Sequence, residues 1–187
     1  MKSALLLSAA LVLAAAQASA GTIVPVAPFN SIELEGGGHI VLRHGAAQQV
    51  SLEKGSTQYT QFHIEDGNKL VIQACNESCP HEYDLEIAIT TPDIQGVGVS
   101  GGGAIESNGT FPDQHSISAA VQGGGRIDVR SMDVANANAA VNGGGHIMVK
   151  VERDLTAAIN GGGQINYWGN PQVRSAVSGG GEINKGS

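Results

Sequence analysis

Few side chains in this sequence are grouped as chemistry would need them. Arg126, Asp128 and His146 come closest, in the neighbouring segments "GGGRIDV" and "GGGHIMV". A carboxylate near an imidazole can move a proton and a guanidinium can hold an anion, yet a surface ion pair uses the same residues. Glycoside hydrolysis needs two carboxyl groups about 5–9.5 Å apart across one bond, and no such pair is legible. No catalytic residue is assigned, and the chain is not read as an enzyme. Cys75 and Cys79 frame "CNESC", with His81 and Glu82 close behind. A zinc site there would lack an assigned fourth ligand. In an exported chain two cysteines pair, so a Cys75–Cys79 disulfide is expected, with no metal and no cofactor. So short a bridge staples a loop and adds little global stability.

Three further stretches invite a binding reading. "GVGVSG" (96–101) matches G-x-G-x-x-G, but a dinucleotide site needs that motif to open a helix, and "GGGAIESNG" follows instead. Calcium-binding β-rolls use G-G-x-G-x-D, and no glycine triplet here continues that way. Tyr167 and Trp168 are adjacent aromatics before a Gly-Asn-Pro turn. Strand alternation puts Tyr167 in the core and leaves Trp168 as a stacking platform for a sugar or partner, or as a cover over a loop. Asn142 and Asn160, each directly before a triplet, complete the candidate binding residues.

The ends and the charge set the compartment. Residues 1–20 combine Lys2, an apolar run and "ASA", the pattern of a secretory signal peptide cleaved between Ala20 and Gly21. Loss of Lys2 leaves seventeen acidic side chains against nine basic ones, a formal charge of −8. Nucleic acid and anionic lipid need a basic footprint, so neither is expected as a partner. No later stretch is apolar enough to span a membrane as a helix. The expected product is exported, periplasmic or at the bacterial surface, with residues 21–187 as one domain.

What must position any site is a repeat. Glycine triplets occur in "LEGGGHIVL" (34–42), "VSGGGAIES" (99–107), "VQGGGRIDV" (121–129), "VNGGGHIMV" (141–149), "INGGGQINY" (159–167) and "VSGGGEINK" (177–185). The last five follow at intervals of 22, 20, 18 and 18 residues. β-Branched residues alternate on both sides of each triplet, so each unit offers two strands of about five residues. Units stacked at ~4.8 Å build a continuous interior, the logic of a β-helix. Its inward rows would be Ile105, Ile127, Ile147, Ile165, Ile183 and, opposite, Val99, Val121, Val141, Ile159, Val177. The triplets are its corners. Gly101, Gly103, Gly123, Gly125, Gly143, Gly145, Gly161, Gly163, Gly179 and Gly181 supply positive φ and close backbone stacking. Outside, Ser100, Gln122, Asn142, Asn160 and Ser178 form a polar row, beside a flat row of Ala120, Ala140, Ala158 and Ala176 that would suit packing or a homo-oligomer. Segment 28–95 alternates less regularly, with Asp66-Gly67 as a hairpin turn, while 96–187 carries the regular GGGxI units.

From about Phe29 to Asn184 the chain resembles the head GIN domain family, also named for auto-transporter adhesins. "FNSIEL", "HIVLRHG", "ITTPDIQGVGVSGGG" and the serial glycine turns followed by "GQIN" and "GEIN" carry the resemblance. Members commonly have Gly-Ser-Gly where this chain has Gly-Gly-Gly. The resemblance implies a single-stranded right-handed parallel β-helix (solenoid), pectin-lyase-like in shape, without catalytic residues. It also implies a role in adhesion, to a glycan or a cell-surface protein. No membrane barrel follows the last GGGxIN motif, so the expected adhesin is secreted or held at the surface by something else. The other readings are a periplasmic or cell-envelope scaffold that oligomerises, and a carbohydrate-active enzyme.

Overall fold

A computed structural model describes residues 21–76 and 78–186; the signal-peptide reading of residues 1–20, Ala20 included, lies outside the described residues. The described chain is all strand and turn, in fifteen strands of one sheet. None of its helices is long and apolar enough to cross a membrane, because it forms none.

Two ladders of parallel strands organise it. In the first, Lys69–Gln73 (β6), Ser31–Gly36 (β2), Gly96–Gly101 (β8) and Gln114–Gly123 (β10) lie side by side. The second halves of Arg126–Gly143 (β11) and His146–Gly161 (β12) follow, and then Gln172–Ser178 (β14). In the second, Glu86–Thr91 (β7), His39–His44 (β3) and Ala104–Asn108 (β9) lead to the first halves of β11 and β12. Gln164–Trp168 (β13) and Glu182–Lys185 (β15) complete it. β11 and β12 belong to both ladders, which makes them one sheet.

The strands overturn part of the expectation. The all-β class stands, but the chain forms a curled half-barrel of mixed strand direction and not a right-handed parallel β-helix solenoid. Antiparallel pairing is the reason. Thr22–Val24 (β1) runs against Gln49–Lys54 (β4), β4 runs against β7, and Gln61–Glu65 (β5) runs against β6. The β5–β6 reversal passes through Asp66 and Gly67, at φ 51° and 79°. Nor does each unit hold two separate short strands. β11 and β12 run 18 and 16 residues. Their far bend has no glycine, and β11 turns there through register shifts against β12 between Val129 and Asp133 and between Val134 and Asn136.

The curl encloses one core. Ile105, Ile127, Ile147 and Ile165 are aligned in register and fully buried, and Val99, Val121, Val141 and Ile159 are buried from the other ladder. Each such side chain contributes about 1.5–3 kcal/mol when fully buried. The last rungs break the pattern: Ile183 is half-buried and Val177 is 46% exposed.

The triplets form stacked corners. The first glycine of each sits at positive φ, 122° at Gly143 and 129° at Gly161. Its carbonyl accepts from the middle glycine of the next corner, as in Gly162 N–H to Gly143 O at 3.0 Å. The third glycine's carbonyl accepts from the residue opening the next strand, as in Gln164 N–H to Gly145 O at 2.9 Å. A Cβ on Gly143 would lie 2.6 Å from the Gly123 oxygen, whereas a Cβ on Gly144 would meet nothing within 4 Å. The first position of the corner requires glycine and the middle one does not. The third glycines Gly103, Gly125, Gly145, Gly163 and Gly181 do not take the expected positive φ, and glycine is needed there because the neighbouring corner packs too close for a Cβ.

Candidate functional site

The outward face of the first ladder carries an apolar trough. Strand alternation points Ala120, Ala140, Ala158 and Ala176 away from the core, and parallel register sets them side by side. Two residues on, Gln122, Asn142, Asn160 and Ser178 form a second outward row, also in register. Two residues before, Ser118, Asn138, Thr156 and Arg174 form a third. Methyl groups between longer polar side chains make a trough with a low apolar floor. It holds about 420 Å³, lined by the alanine row and by the row of Gln122, Asn142, Asn160 and Ser178.

This trough brings Asn142 and Asn160 together on one wall. Among the described residues neither makes a side-chain hydrogen bond within the chain, although their strands are neighbours. Both amides therefore present a donor and an acceptor outward. The floor and both walls are uncharged except at Arg174, whose Nη1 lies 3.4 Å from Asp154 Oδ1.

Trp168 is elsewhere, on β13 in the second ladder. It is half-buried, with the Arg130 guanidinium 4.7 Å from its ring centroid. Gly186 packs so close to the indole that a Cβ there would collide with it. The ring packs close to both Arg130 and the Gly186 backbone. Tyr167 is partly buried against the core. Arg130 carried no sequence signal, because its role depends on the bend in β11 that brings it back over β13.

Arg126, Asp128 and His146 do lie close, on the outward side of the second ladder. Asp128 is taken by Arg130, which donates from Nε at 2.9 Å and from Nη2 at 2.6 Å, with Arg126 at 3.9 Å. Burial raises the Asp128 carboxyl, but the Arg130 hydrogen bonds and charge outweigh it and hold the group below its ordinary range. A carboxylate so committed is a poor proton acceptor. His39 and Glu106 pair at 3.3 Å on the same face. Among the described residues no three His, Cys, Asp or Glu side chains are placed to hold a metal.

Cys75 and Cys79 are bonded, with Cα atoms 5.7 Å apart. Behind them a network that the sequence did not signal anchors the loop. Thr60 donates to Ala74 O at 2.9 Å, Tyr83 Oη lies 2.8 Å from Thr60 Oγ1, and Ser56 N–H donates to Tyr83 Oη at 2.7 Å. The disulfide loop lies at the β5–β6 end, far along the sheet from the trough.

The sequence matches the family described as "Putative auto-transporter adhesin, head GIN domain" over residues 28–117 and 113–171. Among solved structures, a protein of Bacteroides fragilis NCTC 9343 described as a putative adhesin shares 16% identity at a TM-score of 0.53. That match covers 88% of this chain and 95% of the other, and it shows a shared fold. A protein of Parabacteroides merdae ATCC 43184, also described as a putative adhesin, matches at 13% identity and a TM-score of 0.43, over 89% of this chain and 95% of its own. No curated protein matches in sequence.

Proposed function

The chain belongs to the auto-transporter adhesin, head GIN domain family, and from that premise we propose that it is an exported, non-enzymatic binding module. Its binding surface is the trough along Ala120, Ala140, Ala158 and Ala176. The observation that carries this reading is the pair of Asn142 and Asn160 amides, unengaged within the protein beside an apolar floor. A few polar groups around an apolar surface is the usual make-up of a ligand site. Amides that both donate and accept suit glycan hydroxyls and an extended peptide backbone alike. The flat floor favours a ligand that lies along it, a surface glycan or a segment of a cell-surface protein. Trp168, held under Arg130, serves the second ladder's outer face in this reading. In the proposed product residues 1–20 are removed as a leader before Gly21, and 21–187 form the binding domain.

Location tests this. Fractionation of the producing cells, with protease shaving of intact ones, is expected to find the protein at the surface or in the medium. Retention wholly within the periplasm would make adhesion untenable and favour an envelope scaffold.

A further inference from the structure

The sheet ends with its core open. Among the described strands β14 pairs with β12 alone and β15 with β13 alone, so each leaves a row of backbone N–H and C=O groups unpaired at the same end. Leu155, Ala157 and Ile159 on β12 are buried, but their register partners Val173, Ser175 and Val177 are exposed. Val173 is 37% exposed and Val177 46%. These side chains point the way the core points and have nothing above them. The opposite end is finished differently, by β1 and β5 running against their neighbours, with Pro25 and Pro28 behind β1. Prolines, charges and short reversed strands are the devices that keep an edge from pairing. The core-facing side of β14 carries none of them.

We propose that a second copy of this chain closes this end, β14 lying antiparallel to the other copy's β14 about a two-fold axis through Ser175. The sequence "VRSAV" (173–177) is self-complementary in that register. Val173 of one copy falls opposite Val177 of the other, twice, on the side of the buried Leu155 and Ile159. Arg174 falls opposite Ala176, so the two guanidinium groups are not opposed. Moving the axis to Arg174 would set like charges face to face, and moving it to Ala176 would set Val173 against Gly179. A shift that mismatched the faces would turn the valines to water. Charge permits the approach. The chain as a whole is acidic, but residues 172–187 carry Arg174 and Lys185 against Glu182 alone. An interface with one two-fold axis closes at two copies, whereas head-to-tail stacking would grow into fibres. The outward alanine rows would then meet edge to edge. The dimer stands whether or not the trough binds a ligand.

The test uses the full-length protein, expressed with its leader and purified from the compartment to which the cell delivers it. Sedimentation over about 1–100 µM is expected to show a monomer–dimer equilibrium, the range in which a standard-sized interface is read. Val173→Lys with Val177→Lys should weaken it at least about 100-fold, by burying charge without a partner, with an unchanged far-UV spectrum. Ser175→Cys should cross-link copies on mild oxidation with diamide. Directly opposed antiparallel residues have Cα atoms about 4.5–5.5 Å apart, within disulfide reach. Ser118→Cys should not cross-link. If the lysine variant does not fold, the Ser175→Cys cross-link decides. A monomer at every concentration, a dimer indifferent to both valines, or open-ended polymers would overturn the proposal.

Discussion

Gly143→Val is expected to remove a large part of the stability of this protein, while Gly144→Ser, one residue away, leaves it nearly unchanged. Gly143 holds φ at 122°, where a β-branched residue is strongly disfavoured. Strain of that kind costs about 1–3 kcal/mol. A Cβ would also press to 2.6 Å from the Gly123 carbonyl oxygen, the acceptor of the 2.9 Å bond from Gly144 N–H. Separating the corners to relieve that contact leaves a carbonyl short of its partner, at about 1–3 kcal/mol. Together these come to about 2–6 kcal/mol, a large part of the roughly 5–15 kcal/mol that holds a typical domain. A Cβ on Gly144 would meet nothing within 4 Å, and its φ is not positive. Urea unfolding of both variants measures the difference, and Gly144→Ser should shift stability by less than about 0.5 kcal/mol.

Ile147→Ala is expected to cost about 2–5 kcal/mol. Ile147 is fully buried, with Ile127 before it and Ile165 after it in the row. Parallel strands hydrogen-bonded on both sides cannot close over the missing methyl groups, so the cavity persists. Ile183→Ala removes the same atoms from a half-buried site whose register neighbour among the described strands is Ile165 alone. In dilute, monomeric protein its cost should stay below about 1.5 kcal/mol. Equal losses at the two positions, read by denaturant unfolding, would mean that the core does not thin toward β15.

The local grammar was legible and the global path was not. Alternation around each triplet identifies the inward rows, because one face of a strand must leave water and its side chains repeat every second residue. Glycine at Gly101, Gly123, Gly143, Gly161 and Gly179 marks positive φ, which no other common residue takes cheaply. The direction of β1, β4 and β5 was not legible, because antiparallel and parallel pairing bury the same apolar residues. The regular GGGxI half gives no sign that the first half reverses. The unbroken lengths of β11 and β12 were hidden for a related reason: their bend is made by register shifts near Met132, with no glycine or proline to announce it. Of the candidate binding residues, Asn142 and Asn160 share a wall because one corner offset places both. Trp168 could not be placed relative to them, since its neighbour Arg130 comes from a distant part of the chain.

The most direct measurement is binding by the full-length protein to an array of immobilised glycans and to intact cells, beside a variant with Ala140→Arg and Ala158→Arg. Both positions are exposed and outward-facing, so the fold should tolerate the change, and near- and far-UV spectra would confirm that it does. The trough reading predicts that the wild type is retained by at least one probe and that the variant loses at least about tenfold in affinity, since the arginines fill the floor. A variant that binds as strongly as the wild type, or a wild type retained by no probe, would contradict it.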